Sequence, residues 1–530
     1  MDDSTPLIRD AAALDEFLDR LAVGVHPPAT AAMPRVDLAG ITPDPQALAQ
    51  IPAQAARRFH GLPLRRKGRM LAVAMARPHE FEGLQAMGFM TDCMVVPFPA
   101  EPGQLDAALG EHYDQQEDER IAAQLGLGGG ALKRGEASPA EMERIAGHAP
   151  IIRLVTDALQ DAVQRRASDV HLRPGEHFTE LLYRIDDELV PVRRFLPALL
   201  PALVSRIKVI GRMNLAEHRI PQDGRTTITL PDGRSVDLRI SVLPSIHGES
   251  VAIRLLDTSQ GLRHLDQIGL SPRDRERVDD LVARDHGLFL VCGPTGCGKT
   301  TTLYAVLQSL IRQRINILTI EDPVEYRIAG IQQMQVNRAA GFTFASAMRN
   351  FLRHDPDVIM VGEIRDRETA EIAIESALTG HLVLSTLHTN TAATAVTRLL
   401  DLGVEPYLLR ASLLGAMSQR LVRRLCPKCR TPAPADARIA ALLDLPADGT
   451  YWRGTGCAHC EGLGVRGRAA AYELMVASPA MLPLIHAGAE ADRIHALAVQ
   501  EGMTPLTATA AGMAARGEIS IEEAFRARTD

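Results

Sequence analysis

From Leu265 onward the chain alternates helical-period segments with short, continuous apolar runs: Phe289–Cys292, Ile317–Ile320, Val358–Val361 and Leu382–Ser385. Runs of this length, unbroken by polar residues and separated by helices, predict strands buried on both faces of a mostly parallel sheet. Thr301–Leu310 carries the apolar period of a helix that would follow the first of them. Upstream the period changes to two. Val170–Leu172, Leu181–Ile185, Thr226–Leu230, Val236–Val242 and Val251–Leu256 alternate apolar and polar residues, which predicts an antiparallel sheet behind a helix over Ile151–Arg166. Pro231-Asp-Gly233 supplies a hairpin turn between two of these strands. Residues 1–115 mix helical patterns with short strands such as Met70–Met75, and Pro27-Pro28 breaks off a first helical piece. The glycine-rich stretch from Gln124 to Pro139 predicts a hinge, and the chain from Pro479 onward reads as helical. The expected organisation is a multidomain α/β chain. It has an N-terminal α/β domain (1–120), a flexible linker (121–145), an α+β domain (146–260), a parallel-sheet core (261–420), a four-cysteine subdomain (421–475) and a C-terminal helical region (476–530).

The turn after the first core strand is Gly293-Pro-Thr-Gly-Cys-Gly-Lys-Thr300. It fits G-x-x-x-x-G-K-[ST], in which backbone N–H groups at a helix N-terminus close around phosphate oxygens. Gly293, Pro294, Thr295, Gly296, Cys297, Gly298, Lys299, Thr300 and Thr301 are the candidate nucleotide cradle, with Lys299 on the β/γ-phosphates and Thr300 on magnesium. Lysine is scarce: of 58 basic residues five are Lys, at 67, 133, 208, 299 and 428. A chain that otherwise chooses Arg keeps a compact ammonium at Lys299, where a planar guanidinium cannot substitute. Four of the seven cysteines form two C-x-x-C pairs, Cys426/Cys429 and Cys457/Cys460, read as four thiolate ligands of a structural zinc, with His459 as a possible replacement for one of them.

Three further strand ends carry reactive residues. Glu321, Asp322 and Glu325 follow Ile320, Glu363 follows Gly362, and His388 ends the run that begins after His381. Ligands of parallel sheets sit beyond the carboxyl ends of the strands. The strand-end aspartate that commonly anchors magnesium is Gly362 here, which leaves Glu363 to orient and polarise the attacking water. Metal support then falls to Glu321 and Glu325. The seven-residue separation of His381 and His388 predicts opposite strand faces, so that one of the two senses the γ-phosphate.

In order and spacing these segments resemble the secretion ATPases of the type II secretion and type IV pilus assembly family. The resemblance rests on residues 293–304, on Thr-Ile-Glu-Asp-Pro-Val-Glu-Tyr at 319–326, on Leu352–Asp366 and on Thr379–Asn390. Ala167–His171, Pro221–Arg225, Asp237–Ser241 and His247–Glu249 resemble the family's second domain, and the cysteine pairs with Gly467–Glu473 resemble its metal-bearing subdomain. The resemblance implies a RecA-like ATPase core preceded by a PAS-like domain. It implies ATP, magnesium and zinc as cofactors, and a homohexamer that drives pseudopilus or pilus assembly. The partners it implies are an inner-membrane platform protein and the cytoplasmic domain of a membrane-anchored component. It further implies that Arg225 and Arg239, and less directly Arg206, reach nucleotide phosphate as arginine fingers; the alternative is arginines that pack the sheet. Retraction motors of the same superfamily, which lack the long N-terminal domain and the cysteine pairs, are expected to match poorly. Cys297 stands where the family has Ser, and its thiol is expected to make activity sensitive to oxidation. No Arg-Leu-Gly-x-x-Leu pattern for cyclic di-GMP is evident in the N-terminal domain.

Bulk properties narrow the alternatives. Net charge is −7, against a dedicated nucleic-acid binder such as a conjugation or packaging motor. Met1-Asp-Asp-Ser-Thr is acidic where a secretory signal is basic, and no apolar stretch is long enough to span a bilayer. The expected location is cytoplasmic, at the inner membrane only through partners. A protein that merely holds ATP as a structural ligand would not need the acidic residues at two strand ends.

Overall fold

The computed structural model describes residues 7–22, 33–127, 139–230, 233–257, 262–311 and 314–528. Pro27-Pro28, the middle of the glycine-rich stretch, and Pro231 with Asp232 lie outside them. The chain divides into two units, residues 1–257 and 258–530.

Besides a two-stranded parallel pairing of Leu7–Ile8 with Arg35–Val36, the first unit holds two sheets. Strands β1 (Gly61–Lys67), β2 (Met70–Met75) and β3 (Met94–Pro99) form the smaller one, antiparallel then parallel. Helix α1 (Pro102–Gln124) follows, its N-terminus capped by the Glu101 carboxylate accepting from the Gln104 N–H at 2.7 Å. The larger sheet contains β4 (Asp169–Pro174), β5 (Thr179–Ile185), β6 (Glu188–Phe195), β7 (Gln222–Thr229), β8 (Ser235–Ser245) and β9 (Gly248–Asp257), in the order β6-β5-β4-β9-β8-β7. Every pairing in it is antiparallel. Its apolar face, with Val236, Leu238, Ile240 and Val242 from β8, is buried. Helices α2 (Ala149–Gln164) and α3 (Leu200–Ile210) belong to this part of the unit, and the Tyr183 hydroxyl of β5 donates to the Ala158 carbonyl of α2 at 2.7 Å.

The linker expected over 121–145 is helical at both ends, through α1 and through a helix over Pro139–Ala146. The reason is burial. Asp118 of α1 is fully buried and accepts from Arg193 Nη2 at 2.7 Å and from the Leu196 N–H at 3.0 Å, which ties α1 to the end of β6. Burial pushes the Asp118 carboxyl up to about 6 even though Arg193 opposes it.

The second unit is built on a seven-stranded sheet. Its strands are β10 (Gly287–Cys292), β11 (Ile317–Glu321), β12 (Gln332–Gln335), β13 (Val358–Val361), β14 (Leu382–Leu387), β15 (Leu413–Leu425) and, beyond two short strands defined below, β18 (Val465–Val476). The order is β12-β11-β13-β14-β10-β15-β18, parallel except for β18. Successive residues of β10 enter two cores. Leu288, Leu290 and Cys292 join one, Phe289 and Val291 the other, so helices cover both faces. Helix α4 (Lys299–Leu310) covers the second face.

The expected boundary at residue 420 falls inside β15, a continuous 13-residue strand. β15 and β18 pair antiparallel from Gly415↔Val476 to Leu425↔Val465, so the four-cysteine region is the tip of a hairpin whose arms are core-sheet strands. Between the cysteine pairs, β16 (Arg430–Ala433) and β17 (Tyr451–Gly454) pair antiparallel and bring the two knuckles together.

Candidate functional site: a phosphate loop at the carboxyl edge of the parallel sheet

Parallel pairing sets the strand ends at one edge. Cys292 of β10 is level with Leu387 of β14, Val361 of β13 with Ser385, and Ile320 of β11 with Val361. The glycine-rich loop, Glu321, Glu363 and His388 therefore leave the sheet together. The loop is tightly wound. Gly293 has φ of 139°, and a Cβ there would lie 2.5 Å from both Cys297 Sγ and the Gln419 carbonyl oxygen, so glycine is required. Lys299 Nζ donates to the carbonyls of Gly293 at 2.8 Å and Pro294 at 2.9 Å. Thr295, Gly296, Thr300 and Thr301 are exposed at the mouth. A loop with φ above zero at Gly296 and Gly298 that runs into a helix N-terminus has the backbone of an anion nest, and the residues fit a nucleotide phosphate chain.

Glu363 is the best-placed acid at this edge. Its Oε2 lies 2.6 Å from Arg365 Nε and 3.4 Å from His388 Nε2, and its side chain keeps 12% exposure. Burial, and after it the Lys299 charge, hold the His388 imidazole below its usual 6.5, against the opposing pull of Glu363. The ring is thus neutral at physiological pH. Turnover is expected to hold its neutral-pH value until the pH drops below 6.5 and then to fall as the ring protonates, and His388→Gln is expected to lower turnover and abolish that limb. A pH profile of kcat between about pH 5 and 8 checks it; an unchanged acid limb in the variant would assign the limb elsewhere.

Two expectations need correction. The histidines do not lie on opposite faces of one strand, because β14 is only six residues long and they flank it. His381 precedes β14, where its carbonyl accepts from the Gly287 N–H at the start of β10, and its Nδ1 lies 2.9 Å from the Ser376 carbonyl oxygen. It sits at the opposite edge of the sheet from the loop, so His388 alone of the two faces the site. Glu321 does not line the mouth. It is 3% exposed; its carboxylate accepts from the Tyr304 hydroxyl of α4, from Thr319 Oγ1 at 2.7 Å and from Gln333 Nε2 at 3.1 Å, and burial raises its pKa. Three protein donors occupy its oxygens, so it anchors α4 rather than a metal.

The Cys297 thiol is also quieter than its position predicts. It is 4% exposed, and burial outweighs the Lys299 charge to raise its pKa, which keeps it protonated and unreactive. Neighbouring Cys292 is pushed up to about 12 by complete burial.

A second centre lies at the tip of the β15–β18 hairpin. The sulfurs of Cys426, Cys429, Cys457 and Cys460 lie within 4.8 Å of one another. Cys426–Cys457 and Cys457–Cys460 are 3.8 Å apart, and Cys429–Cys460 3.7 Å. A tetrahedron with Zn–S of about 2.3 Å has edges of about 3.8 Å, whereas a disulfide needs about 2.05 Å. The donor set therefore fits zinc. The N–H groups of Cys457 and Gly464 point at Cys460 Sγ from 3.3 and 3.2 Å, an outer shell suited to a thiolate. His459 is not among the converging ligands.

Sequence reasoning missed Tyr304, Gln333 and Gln419. Tyr304 closes the 293–304 stretch without being given a role there, and Gln333 and Gln419 belong to no spaced motif; each acts through a partner from a distant segment.

The model of the family described as type II/IV secretion system protein matches residues 144–526. The chain belongs to that family. A model of the MshEN domain matches residues 31–119. Type II secretion system protein E of Pseudomonas aeruginosa is 53% identical over 343 residues, 64% of this chain and 68% of that protein. The type IV pilus assembly ATPase PilB of Myxococcus xanthus is 38% identical over 499 residues, 93% of this chain and 88% of that one. The crystal structure of the pilus retraction motor PilT with bound ADP superposes with a TM-score of 0.51 at 28% identity, over 71% of this chain and 97% of that chain. The retraction motor, expected to match poorly, thus aligns over nearly its whole length. Among the described residues no helix is long and apolar enough to cross a membrane.

Proposed function

We propose that this chain is the ATP-hydrolysing motor of a type II protein secretion system, working as a homohexamer at the inner membrane through a platform protein and the cytoplasmic domain of a membrane-anchored component. The observation that carries the reading is the convergence of the phosphate loop, Glu363 and His388 at one sheet edge. Family membership supports the motor role, and the 53% identity to a type II secretion protein E favours secretion over pilus extension.

In this reading the backbone amides of the loop and Lys299 hold the triphosphate, and Thr300 and Glu325 are the residues that would hold magnesium, which would supply neutralisation of phosphate charge. Glu363 accepts the proton of the attacking water while Arg365 fixes its carboxylate. His388 donates toward the γ-phosphate in its neutral form. Glu321 and Tyr304 keep α4, and with it Lys299, in register.

Arg225, Arg239 and Arg254 stand directly opposite one another across β7, β8 and β9, and Asp169 and Arg184 continue the row. Like charges in one cross-strand row cost stability unless an anion offsets them. Asp237 holds Arg225 at 2.9 Å and Asp169 holds Arg254 at 3.1 Å, so the row is partly offset from within, and Arg225 and Arg239 stay proposed as arginine fingers on the family resemblance. The core is read as RecA-like and the six-stranded antiparallel domain as PAS-like.

The test is ATP turnover against protein concentration. Specific activity is expected to rise several-fold as rings assemble and to be indifferent to added DNA. Activity that is flat with concentration and stimulated by DNA would replace this reading with a nucleic-acid motor.

A further inference from the structure

Gln419 belongs to no motif, yet it is the residue on which the phosphate loop rests. The parallel register of β10 with β15 pairs Cys292 with Ser418, which sets Gln419 beside Gly293. Its side chain is 1% exposed and satisfied at both ends. Nε2 donates to the Cys297 carbonyl at 2.7 Å, and Oε1 accepts from Thr302 Oγ1 at 2.8 Å. Two of the three loop glycines, 293 and 298, face the same residue. A Cβ on Gly293 would meet the Gln419 carbonyl at 2.5 Å, and one on Gly298 would meet Nε2 at 3.1 Å.

The Cys297–Gly298 peptide is trans, since the single cis bond among the described residues is Asp322–Pro323. In a trans peptide the carbonyl and the following N–H point in opposite directions. A carbonyl of Cys297 held against Gln419 therefore turns the Gly298 N–H away from β15, toward the concave side of the loop. The Thr302 contact fixes the first turn of α4, whose Lys299 and Thr300 lie between the two anchor points. An Asn would be too short to span them, and a Glu would set an oxygen against the Cys297 carbonyl.

We propose that Gln419 is a positioning residue of the ATP site: it aims the Gly298 N–H and sets the pitch of the turn bearing Lys299. The inference rests on the reading of this loop as an ATP site. Its expected signature is in affinity. Gln419→Met keeps the length and adds no charge, but removes both hydrogen bonds; KM for ATP and the Kd of ADP are expected to rise about tenfold, with kcat changing less than KM. Thermal unfolding without nucleotide separates this from a purely structural role, which would lower the midpoint and leave the KM of the folded protein unmoved.

The experiment measures KM, kcat and ADP binding on the full-length chain for wild type, Gln419→Met and Thr302→Val. Thr302→Val removes one of the two contacts and is expected to raise KM about threefold, and it decides the matter should Gln419→Met fail to fold. An unchanged KM in folded Gln419→Met overturns the proposal, as does an unchanged KM in Thr302→Val where the first variant does not fold. Wild-type protein that binds neither ATP nor ADP would instead overturn the reading of the loop, an outcome distinct from either.

Discussion

Glu363→Gln is expected to keep ATP and lose turnover, with kcat down about a thousandfold and the ATP Kd changed less than about threefold. A positioned general base contributes between about 10² and 10⁴ in rate. Glutamine matches glutamate in shape and still offers a carbonyl oxygen to Arg365, which now lies 2.6 Å from the carboxylate, but it takes no proton from water. In the proposed reading nucleotide affinity belongs to other groups, the loop amides, Lys299 and Thr300, so binding and chemistry are expected to separate. Single-turnover hydrolysis with equilibrium binding on the same preparation checks both halves. Residual turnover near the wild-type value would move the catalytic base away from Glu363. Loss of binding in step with turnover would mean that the carboxylate holds the metal. Arg365→Ala should give a milder loss, because it frees the carboxylate without removing it.

Removal of one cysteine pair is expected to have the largest effect on stability. Structural zinc supplies about 10–16 kcal/mol of apparent binding free energy in small domains at neutral pH, and that energy is folding energy. Wild-type protein is expected to carry about one zinc per chain, and Cys457→Ser with Cys460→Ser to carry almost none. Among the described residues Cys426, Cys429 and Cys460 form a small buried cluster of their own, with Cys457 against it and no other hydrophobic side chain in it, so without metal the knuckles keep the β16–β17 pairing and backbone hydrogen bonds but gain no apolar packing in its place. The loss should begin at the hairpin tip and shorten the paired length of β15 and β18. Metal analysis, protease susceptibility between residues 426 and 464, and the thermal midpoint with and without a chelator test this. Reduced wild-type protein that binds no zinc on reconstitution would refute the site.

Much of the core was readable because its signals are local. Phe289–Cys292, Val358–Val361 and Leu382–Ser385 are apolar on both faces, which is how central parallel strands look, and the loop motif and cysteine pairs are spaced by their own chemistry. Leu413–Leu425 was not readable as a core strand, since three arginines, at 420, 423 and 424, interrupt it. What fixes it as a strand is pairing with β10 and β18, and that is tertiary information. The same limit explains the residues reassigned. Glu321 has the sequence of a strand-end ligand, and only the fold puts the Tyr304 hydroxyl on its carboxylate. Cys297 has the sequence of a reactive thiol, and only burial quiets it. His381 and His388 differ by which edge of the sheet they occupy, which depends on where β14 begins and ends rather than on the seven residues between them.

The strand that shoulders the phosphate loop is made late. Cys297 and Gln419 are 122 positions apart in the chain, and β15 continues into the cysteine hairpin before β18 returns to complete the sheet. On the ribosome the loop emerges long before its support. A nascent or truncated chain that ends before residue 419 carries every residue of the nucleotide motif and lacks the wall that shapes it. On the proposal for Gln419, such fragments are expected to hydrolyse ATP poorly, with competence arriving only after residue 419 has been made.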